Sequence, residues 1–564
     1  MSSTRRAVGG FLAATAVLVV GRAIVDWTAA GWFAEAAGVM TGASARRTLG
    51  LVLRLLSGSL MVLAVFVSLL AVRRSIVSVV VPRQFGNVVI GEAVPSGILT
   101  LGAFLVAAVA GLLAAAASPD VLTVQFGLQP LVTGELDPYW RRDLGFYWAW
   151  LPFEHWLAGQ IGMIWLTVIL LTAFAYALTP SVRLSPRGVR LAPWARRHLG
   201  LLLAFGVLLM GWRWRLERFD LLVADGAAFG IVAHRLQGPA FALLAWAAWP
   251  LAALLALAAW RARAALAGMV ALLLLVAGPV AQWLLPLTAV RQHSASERTA
   301  RDAPYRAAAA RYAARQSEDS TRLFLASQPV GAAGVGPVAG PTGDLPLIGV
   351  GAGRYALVED SMVGAAGPRF DGLPRRLVLT WAMRAPGLLG RADEPGVRLV
   401  APRDPVARVR GVAPFLVPLG APRWLTDTVP GPRWAVDVLV TAERFPMVDT
   451  IAGAEAGARY ARRAGVAYVD ARTGAVSIAW TPTPDALLRA WLALEPELVR
   501  GPIALGPTEA RLWAGATATP TEPSGRDAAL RSAYDSLVAA RRRGDGRAAV
   551  AAESRLGRLL GAAR

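Results

Sequence analysis

The sequence predicts an N-terminal all-α transmembrane bundle of about seven spans, followed by an α+β extracytoplasmic domain that ends in an α-helical hairpin. Composition gives the first reason: 55% of the 564 residues are hydrophobic and only 17% are charged, which is more apolar surface than a soluble protein of this size can bury. The stretch Ala264–Val290 gives the second, because it carries no charge and exceeds the roughly 20 residues that a helix needs to cross a bilayer. From Arg291 onward the chain is charged and rich in Pro and Gly, as soluble domains are.

Seven hydrophobic segments make up the first part of the chain, at residues 7–25, 49–72, 96–118, 155–178, 198–213, 239–260 and 264–290. We expect the first span to be retained, because Arg22 and Asp26 stand where a signal-peptide cleavage site requires small residues. The chain then divides into a seven-span domain (1–290), a helical and Gly/Pro-rich connector (291–353), an α+β extracytoplasmic domain (354–523) and a C-terminal helical hairpin (524–564).

The distribution of arginine predicts the orientation. With a cytoplasmic N-terminus, 12 Arg outside the spans face the cytoplasm and 8 face the other side, in agreement with the positive-inside rule. An odd number of spans then places the C-terminal half outside the cytoplasm. Within the spans, Arg22 and Arg54 lie near the ends, where a long side chain reaches the headgroups, and no acidic residue or His lies near a span centre. This pattern disfavours an ion-coupled transporter.

The charge of the chain limits its chemistry and its partners. All 58 basic residues are Arg, so Lys chemistry is excluded, and the absence of Cys excludes disulfides, thiolate catalysis and Cys-bound metals. The net charge of +21 divides into +11 up to Val290 and +10 beyond it. A basic outer half favours anionic lipids or acidic envelope polymers as partners. The sequence contains no nucleic-acid-binding motif, and we predict no nucleic-acid partner.

Two loops of the membrane half carry unusual side chains. Leu136–Trp156 is dense in Trp, Tyr and Phe beside Arg141, Arg142 and Asp143, which predicts an interfacial helix that anchors the bundle; an aromatic cage for a cofactor or a lipid is the alternative. We interpret Arg213–Gly238 as a loop whose charged side chains pair with one another.

Small residues in the third span favour close helix packing, namely Gly102, Ala107, Ala110, Gly111 and Ala114.

The outer half begins with a predicted helix over 291–316, in which Ser294 and Glu297 have the spacing of a capping box and Pro304 is expected to interrupt the helix. Residues 327–353 are read as a linker rather than a phosphate-binding loop. An α+β pattern follows, with strands predicted at Arg376–Trp381, Val397–Val400 and Trp434–Val440, a hairpin joining Val466–Asp470 to Ala475–Trp480, and helices at Asp404–Val412 and Asp485–Leu498. Gly525–Arg564 has two amphipathic segments and predicts the terminal hairpin.

Several segments together resemble a bacterial membrane-protein family, uncharacterised protein family 0182: 136–153, 218–239, 403–416, 434–447, 465–476 and the closing helical pair. The resemblance implies seven N-terminal spans, a large extracytoplasmic domain and a location in the bacterial cytoplasmic (inner) membrane. Members of that family are typically longer, and a section between the last span and the strand-rich part is largely absent here, near 327–353. The family has no established catalytic residues to transfer.

Three functions are compatible with the sequence. The first is a non-catalytic envelope binding or scaffold protein with a basic extracytoplasmic domain. The second is a polytopic enzyme acting on lipid-linked substrates, with Asp26, Glu35, Glu135 and Asp137 as candidate cation ligands or general bases. Pairing of these acids with Arg46, Arg47, Arg141 and Arg142 is the simpler interpretation. The third is a transporter. The sequence identifies no catalytic residue, and we predict neither a metal nor a cofactor.

Overall fold

The structure, a computed structural model, describes residues 20–37, 40–77, 84–85, 88–89, 96–117, 119–179, 181–185, 188–287, 295–326, 347–350, 353–359, 367–390, 396–425, 431–451 and 457–499, and five residues after 503. Residues 1–503 belong to one compact unit, and the fold described below lies within it. The predicted C-terminal hairpin, the capping residue Ser294 and most of the predicted first span lie outside the described residues.

Six described helical segments are long and apolar enough to cross a membrane: Gly42–Arg73, Gly97–Ala116, Phe146–Ala177, Pro193–Ala224, Ala233–Trp260 and Ala265–Leu287. They correspond in order to the second through seventh predicted spans. The helices themselves are α1 (20–36), α2 (Met40–Val77), α3 (Ser96–Ala116), the short α4 (Val121–Gly127), α5 (Leu151–Ala177), α6 (Pro193–Ala224), α7 (Gly238–Trp260) and α8 (Ala264–Pro279). Single π-helical segments extend three of them, at Phe146–Trp150, Ala233–Gln237 and Val280–Leu284.

The connections between these helices separate into two ends of the bundle, because helices that cross a bilayer in succession alternate in direction. At one end lie two small hairpins, β1 (Gln84–Phe85) with β2 (Val88–Val89) and β3 (Val182–Ser185) with β4 (Gly188–Leu191), and the turn after α7. At the other end lie the longer segments around residues 119–145 and 225–232. The strand-rich domain packs on this second end, which we call the domain end.

The domain is built around one antiparallel sheet with the strand order β10-β9-β8-β7. Its strands are β7 (Leu416–Leu425), β8 (Arg433–Ala442), β9 (Tyr460–Asp470) and β10 (Val476–Trp480), and a second sheet pairs β5 (Ala356–Glu359) with β6 (Val397–Val400). The helices are α9 (Ala295–Ala326), α10 (Leu373–Met383), α11 (Pro405–Val412), α12 (Ala486–Leu494) and α13 (Pro496–Val499). Strand β8 is buried on both faces, which explains its nearly continuous apolar run.

Local sequence signals account for several element ends. The carboxylate of Asp404 accepts the Ala407 N–H at the start of α11, and the carboxylate of Asp485 accepts the Leu488 N–H at the start of α12, so both predicted helix starts are confirmed. The predicted hairpin is also confirmed. Gly474 closes its turn at a φ of +69°, in the left-handed region that favours glycine.

Three predictions from the sequence are wrong. Arg376–Trp381 lies inside helix α10, whose buried residues Arg376, Leu379 and Thr380 recur at helical and not at strand spacing. Helix α6 continues to Ala224, so the first half of the predicted loop Arg213–Gly238 is helical. Helix α9 runs through Pro304 without interruption, and the residues that follow it, including Tyr305 and Ala308, are buried against the bundle.

Candidate functional site

A layer of charged residues lies at the domain end of α5 and α6. Arg215 of α6 donates to both carboxylate oxygens of Glu154 in α5, at 2.5 Å. One turn further along α6, the carboxylate of Asp220 lies 2.7 Å from His155 Nε2 and pairs with Arg444 of the loop that follows β8. Asp220 therefore connects two membrane helices to the strand-rich domain, and this arrangement fixes the domain on the bundle.

Backbone hydrogen bonds reinforce the same junction. The N–H of Met447 donates to the carbonyl of Leu222 at 2.8 Å, and the carboxylate of Asp449 accepts the N–H of Ala227 at 3.1 Å. Burial raises the pKa of Asp225, which ends α6. Residues 441–451 thus follow the end of α6 closely, and motion of the domain away from the bundle would break these bonds together.

The aromatic segment Leu136–Trp156 is part of this junction and not a helix at the membrane surface. Its first half is a turn closed by a bridge between Leu136 and Asp143, and its second half is the π-helical start of α5. Tyr147 and Trp148 are buried, and Tyr139 stacks on Tyr305 of α9 with ring centroids 5.0 Å apart. The prediction of an interfacial helix is therefore wrong for most of the segment, because these rings pack against protein.

The acids singled out from the sequence occupy separate places. Asp26 pairs with Arg22 at 2.8 Å, and Glu35 and Glu135 are exposed. Asp137 is buried, and its carboxylate accepts the N–H groups of Tyr139, Trp140 and Arg142 and the hydroxyl of Tyr147. Asp137 thus shapes its own turn, and within the described part of the chain no group of three or more His, Asp or Glu residues has the arrangement of a metal site.

The three described histidines also have individual partners. His155 contacts Asp220, as above. His198 lies 3.0 Å from the Tyr176 hydroxyl and 3.2 Å from the Ser68 hydroxyl, which ties α6 to α5 and α2. His234 Nδ1 lies 2.9 Å from the hydroxyl of Tyr305. The side chains that could serve acid–base chemistry are thus spread over the junction and the bundle.

A cavity of about 660 Å³ lies between the corner of α1 and α2 and the strand-rich domain, and we call it the junction cavity. The bundle contributes small apolar residues, among them Ala30, Ala34 and Ala43 together with Phe33. The domain contributes the residues around the start of α11 and the β9–β10 turn, including Pro402, Gly411, Val412 and Val476. The cavity volume lies within the range of pockets that hold small molecules.

Five guanidinium groups border this largely apolar cavity: Arg46, Arg47, Arg354, Arg403 and Arg408. Arg46 pairs with the buried Glu495, and Arg47 donates to the Trp27 carbonyl at 3.0 Å. Arg408 donates to the carbonyls of Gly474 and Pro402, and burial lowers its pKa to about 10. The border is therefore positively charged and is partly held in place by the protein.

Sequence reasoning missed this cavity because its wall comes from five separated parts of the chain: 30–47, 353–354, 383, 401–412 and 474–476. The adjacent Arg46 and Arg47, and the pair Arg403 and Arg408 on either side of the Asp404 cap, were visible in the sequence. Their convergence on one cavity depends on how the domain docks and was not visible.

Six helices of the described residues are long and apolar enough to cross a membrane, and with the strand-rich domain packed at one end they indicate a multi-pass membrane protein. The chain belongs to the uncharacterised protein family UPF0182, whose profile matches residues 7–313 and 353–506. The unmatched interval coincides with the Gly- and Pro-rich stretch near 327–353. No solved structure matches the chain.

Individual relatives align over limited segments. A UPF0182 protein of Geobacter sp. strain M21 is 34% identical over 99 residues, which is 18% of this chain and 11% of the relative. One of Desulforamulus reducens is 27% identical over 191 residues, covering 31% of this chain and 20% of the relative. One of Micrococcus luteus is 30% identical over 160 residues, covering 24% and 14%. The chain thus spans a fifth or less of these relatives in each alignment.

Proposed function

We propose that this chain is a non-catalytic binding or scaffold protein of the bacterial cytoplasmic membrane and that it holds an amphipathic anion in the junction cavity. In this proposal the N-terminus is cytoplasmic and the basic strand-rich domain is extracytoplasmic. The excess of Arg on the predicted cytoplasmic side and the bacterial relatives support this placement. Anionic lipids and acidic envelope polymers are the proposed partners of the basic domain.

The junction cavity is the observation that carries the proposal. Its alanine-rich wall offers an apolar chain favourable burial, at about 25 cal/mol per Å². The arginines at its border attract an acidic headgroup, and Arg47 and Arg354 lie on the bundle side and the domain side respectively. A molecule with one long apolar body and one acidic head fits both features.

The enzyme alternative has less support. Among the described residues that line the cavity, Asp404 is the one carboxylate, and its Oδ1 already accepts the N–H of Ala407 at 2.8 Å. The same described residues include no Ser, Thr, Tyr or His that could act as a nucleophile or base. A transporter has no specific observation in its favour.

The test uses the full chain in detergent micelles and a photoreactive C16 fatty acid that carries a diazirine, with the corresponding uncharged alcohol as its match. We expect the acid to cross-link to peptides from 30–47 and 401–412, identified by mass spectrometry, and the alcohol to cross-link several-fold less. Gly411→Leu should abolish the cross-links, because a side chain at this position points into open space in the cavity wall.

The matched control is Gly268→Leu, which also places a Leu on a helix at a glycine with no neighbouring atom within 4 Å among the described residues, but in α8 and away from the cavity. It should cross-link like the natural chain. Equal labelling by acid and alcohol, or labelling that survives Gly411→Leu, would overturn the proposal.

A further inference from the structure

A second cavity, of about 360 Å³, lies between α6 and α7 and shares no described lining residue with the junction cavity. Three guanidinium groups line it, from Arg142 in the turn before α5 and from Arg215 and Arg218 on one face of α6. The remaining wall is apolar and aromatic, with Leu208, Gly211, Trp212, Phe219, Ala242, Ala245, Trp246 and Trp249. We call it the arginine pocket.

The positive charge in this pocket is only partly balanced. Arg215 pairs with Glu154, but no carboxylate of a described residue forms an ion pair with Arg142 or Arg218. These two cations rest on aromatic rings instead, Arg218 over Trp140 at 4.4 Å and Arg142 over Phe219 at 5.5 Å. The buried Nε of Arg218 has no hydrogen-bond acceptor among the described residues. The pocket therefore offers unused N–H donors and a net positive charge, which an anion would satisfy.

The depth of the pocket matches a lipid headgroup. In α6 the segment between Arg197 and Arg213 contains no Asp, Glu or Arg, and at 1.5 Å per residue the two arginines are about 24 Å apart along the axis. The hydrocarbon core of a bilayer is about 30 Å thick. Arg213 thus marks one edge of that core, and Arg215 and Arg218 follow within the next two turns, at the level of lipid phosphates.

The pocket also opens toward lipid. Trp246 and Trp249 on its border are 76% and 64% exposed on the surface of the membrane helix α7. Gly211 of α6 packs against Ala245 and Ala248 of α7, so both tryptophans lie on the hydrocarbon side of Arg213, where they contact acyl chains. A ligand with acyl chains can therefore leave them outside, along α7, while its headgroup enters between the arginines. A soluble anion would gain nothing from this exposed aromatic border.

From this geometry we infer that the arginine pocket binds the phosphate group of an anionic phospholipid from the leaflet at the domain end. Arg142 and Arg218 bind the phosphate oxygens, Arg215 is held in place by Glu154, and the tryptophans contact the first part of the acyl chains. The inference is independent of the junction cavity, and either site can fail its test without the other.

The test measures lipid binding to the full chain by native mass spectrometry after exchange into detergent, with phosphatidylglycerol and phosphatidylcholine of the same acyl chains. We expect phosphatidylglycerol to bind at least tenfold more tightly. Arg218→Gln and Arg142→Gln should each weaken phosphatidylglycerol binding about tenfold or more, as expected for the loss of a hydrogen bond between charged groups. Binding of phosphatidylcholine should be weak and change little, because its choline cation offsets the charge of its phosphate and is repelled by the arginines.

Arg213→Gln is the matched control, because Arg213 lies on the same helix but is 71% exposed, pairs with Glu217 and does not line the pocket. Ala242→Leu is a second blocking variant that keeps every charge and should also weaken phosphatidylglycerol binding. Because this variant keeps the contact between Arg218 and Trp140, weaker lipid binding in it cannot result from misfolding caused by the loss of that contact.

Three results would overturn the inference. One is an equal loss of binding in Arg213→Gln and Arg218→Gln, which would mean that the charge of the whole surface attracts the lipid. Another is displacement of phosphatidylglycerol by millimolar inorganic phosphate or glycerol phosphate, which would assign the pocket to a soluble anion. The third is equal binding of the two lipids.

Discussion

At the scale of single residues, the two acidic side chains of the turn before α5, Asp137 and Asp143, bind backbone N–H groups and not arginine. The sequence favoured pairing of the loop acids with Arg141 and Arg142. In the structure the Asp137 carboxylate accepts the N–H groups of Tyr139 and Arg142 within the turn, and the Asp143 carboxylate accepts those of Gly134 and Gly145 on either side of it. The reason is local: a turn that carries buried aromatic rings must satisfy its own N–H groups, and a carboxylate does this best.

Asp143 provides a prediction that depends on pH. Burial alone raises the pKa of its carboxyl, but hydrogen bonds from the N–H and hydroxyl of Thr133 and from the N–H groups of Gly134 and Gly145 outweigh burial and hold the pKa below its usual value. The ionised form therefore stabilises the folded state. This contribution is complete above the ordinary carboxyl pKa and is lost as the pH falls through the lowered pKa.

We expect Asp143→Asn to lower the free energy of unfolding by about 1–3 kcal/mol at pH 7. The difference between the natural chain and the variant should shrink as the pH falls from about 5 through the lowered pKa of the folded state, because the carboxyl is protonated first in the unfolded state and then in the folded state. Thermal unfolding of the purified protein across this pH range measures both effects. The exposed Glu35→Gln serves as the control, and a pH-independent difference for Asp143→Asn would contradict the assignment.

At the scale of elements, the lengths of the hydrophobic segments predict the membrane helices well. The charged residues at the ends of these helices lead to wrong predictions of where the helices begin and end. All six described spans correspond to predicted ones, since 20 apolar residues in a row have few alternatives. Helix α5 begins at Leu151, before its predicted start, and helix α6 ends at Ala224, after its predicted end, because Glu154, Arg215 and Asp220 find partners on neighbouring elements. The sequence shows these charged residues without their partners, so on sequence alone they are predicted to lie in loops.

Helix α10 was predicted as a strand for a related reason. Its Val- and Leu-containing run is short, and short apolar runs do not distinguish helix from strand. In the structure Arg22 of α1 donates to the Trp381 carbonyl near the end of α10, and Phe33 and Ala29 of α1 belong to the same core as Leu379. Tertiary packing on α1 thus decides the conformation, and that information is not local.

Small residues in α3 give a prediction with a control on the same helix. A Cβ added at Gly111 would lie 2.2 Å from Val62 Cγ2 and 2.8 Å from the Gly58 carbonyl oxygen, whereas one at Gly102 meets no described atom within 4 Å. Gly111→Val should therefore separate α3 from α2 and cost about 1–3 kcal/mol. Gly102→Val should leave the melting temperature in detergent nearly unchanged. Equal melting temperatures for the two variants would contradict the close packing of these helices.

At the scale of the whole molecule, docking of the domain creates properties that neither part has alone. The junction cavity needs α1, α2 and α11 together, and the ion pairs of Asp220 need α5, α6 and the loop after β8. Composition predicted two parts of different character, and this division is visible in the structure. How the two parts meet is not predictable from the sequence, because the residues at the junction come from distant positions and each has ordinary neighbours along the chain.

The absence of Cys from the natural chain allows a direct test of its orientation. Arg472 is exposed in the β9–β10 turn of the domain, and Arg261 is exposed in the turn after α7, at the opposite end of the bundle. If the domain is extracytoplasmic, Arg472→Cys should react with a membrane-impermeant maleimide in intact spheroplasts, while Arg261→Cys should react only after lysis. The unmodified chain, which has no thiol, gives the background. The reverse pattern would place the domain in the cytoplasm, and then the arginine pocket would face the inner leaflet, so this experiment also decides which leaflet supplies its lipid.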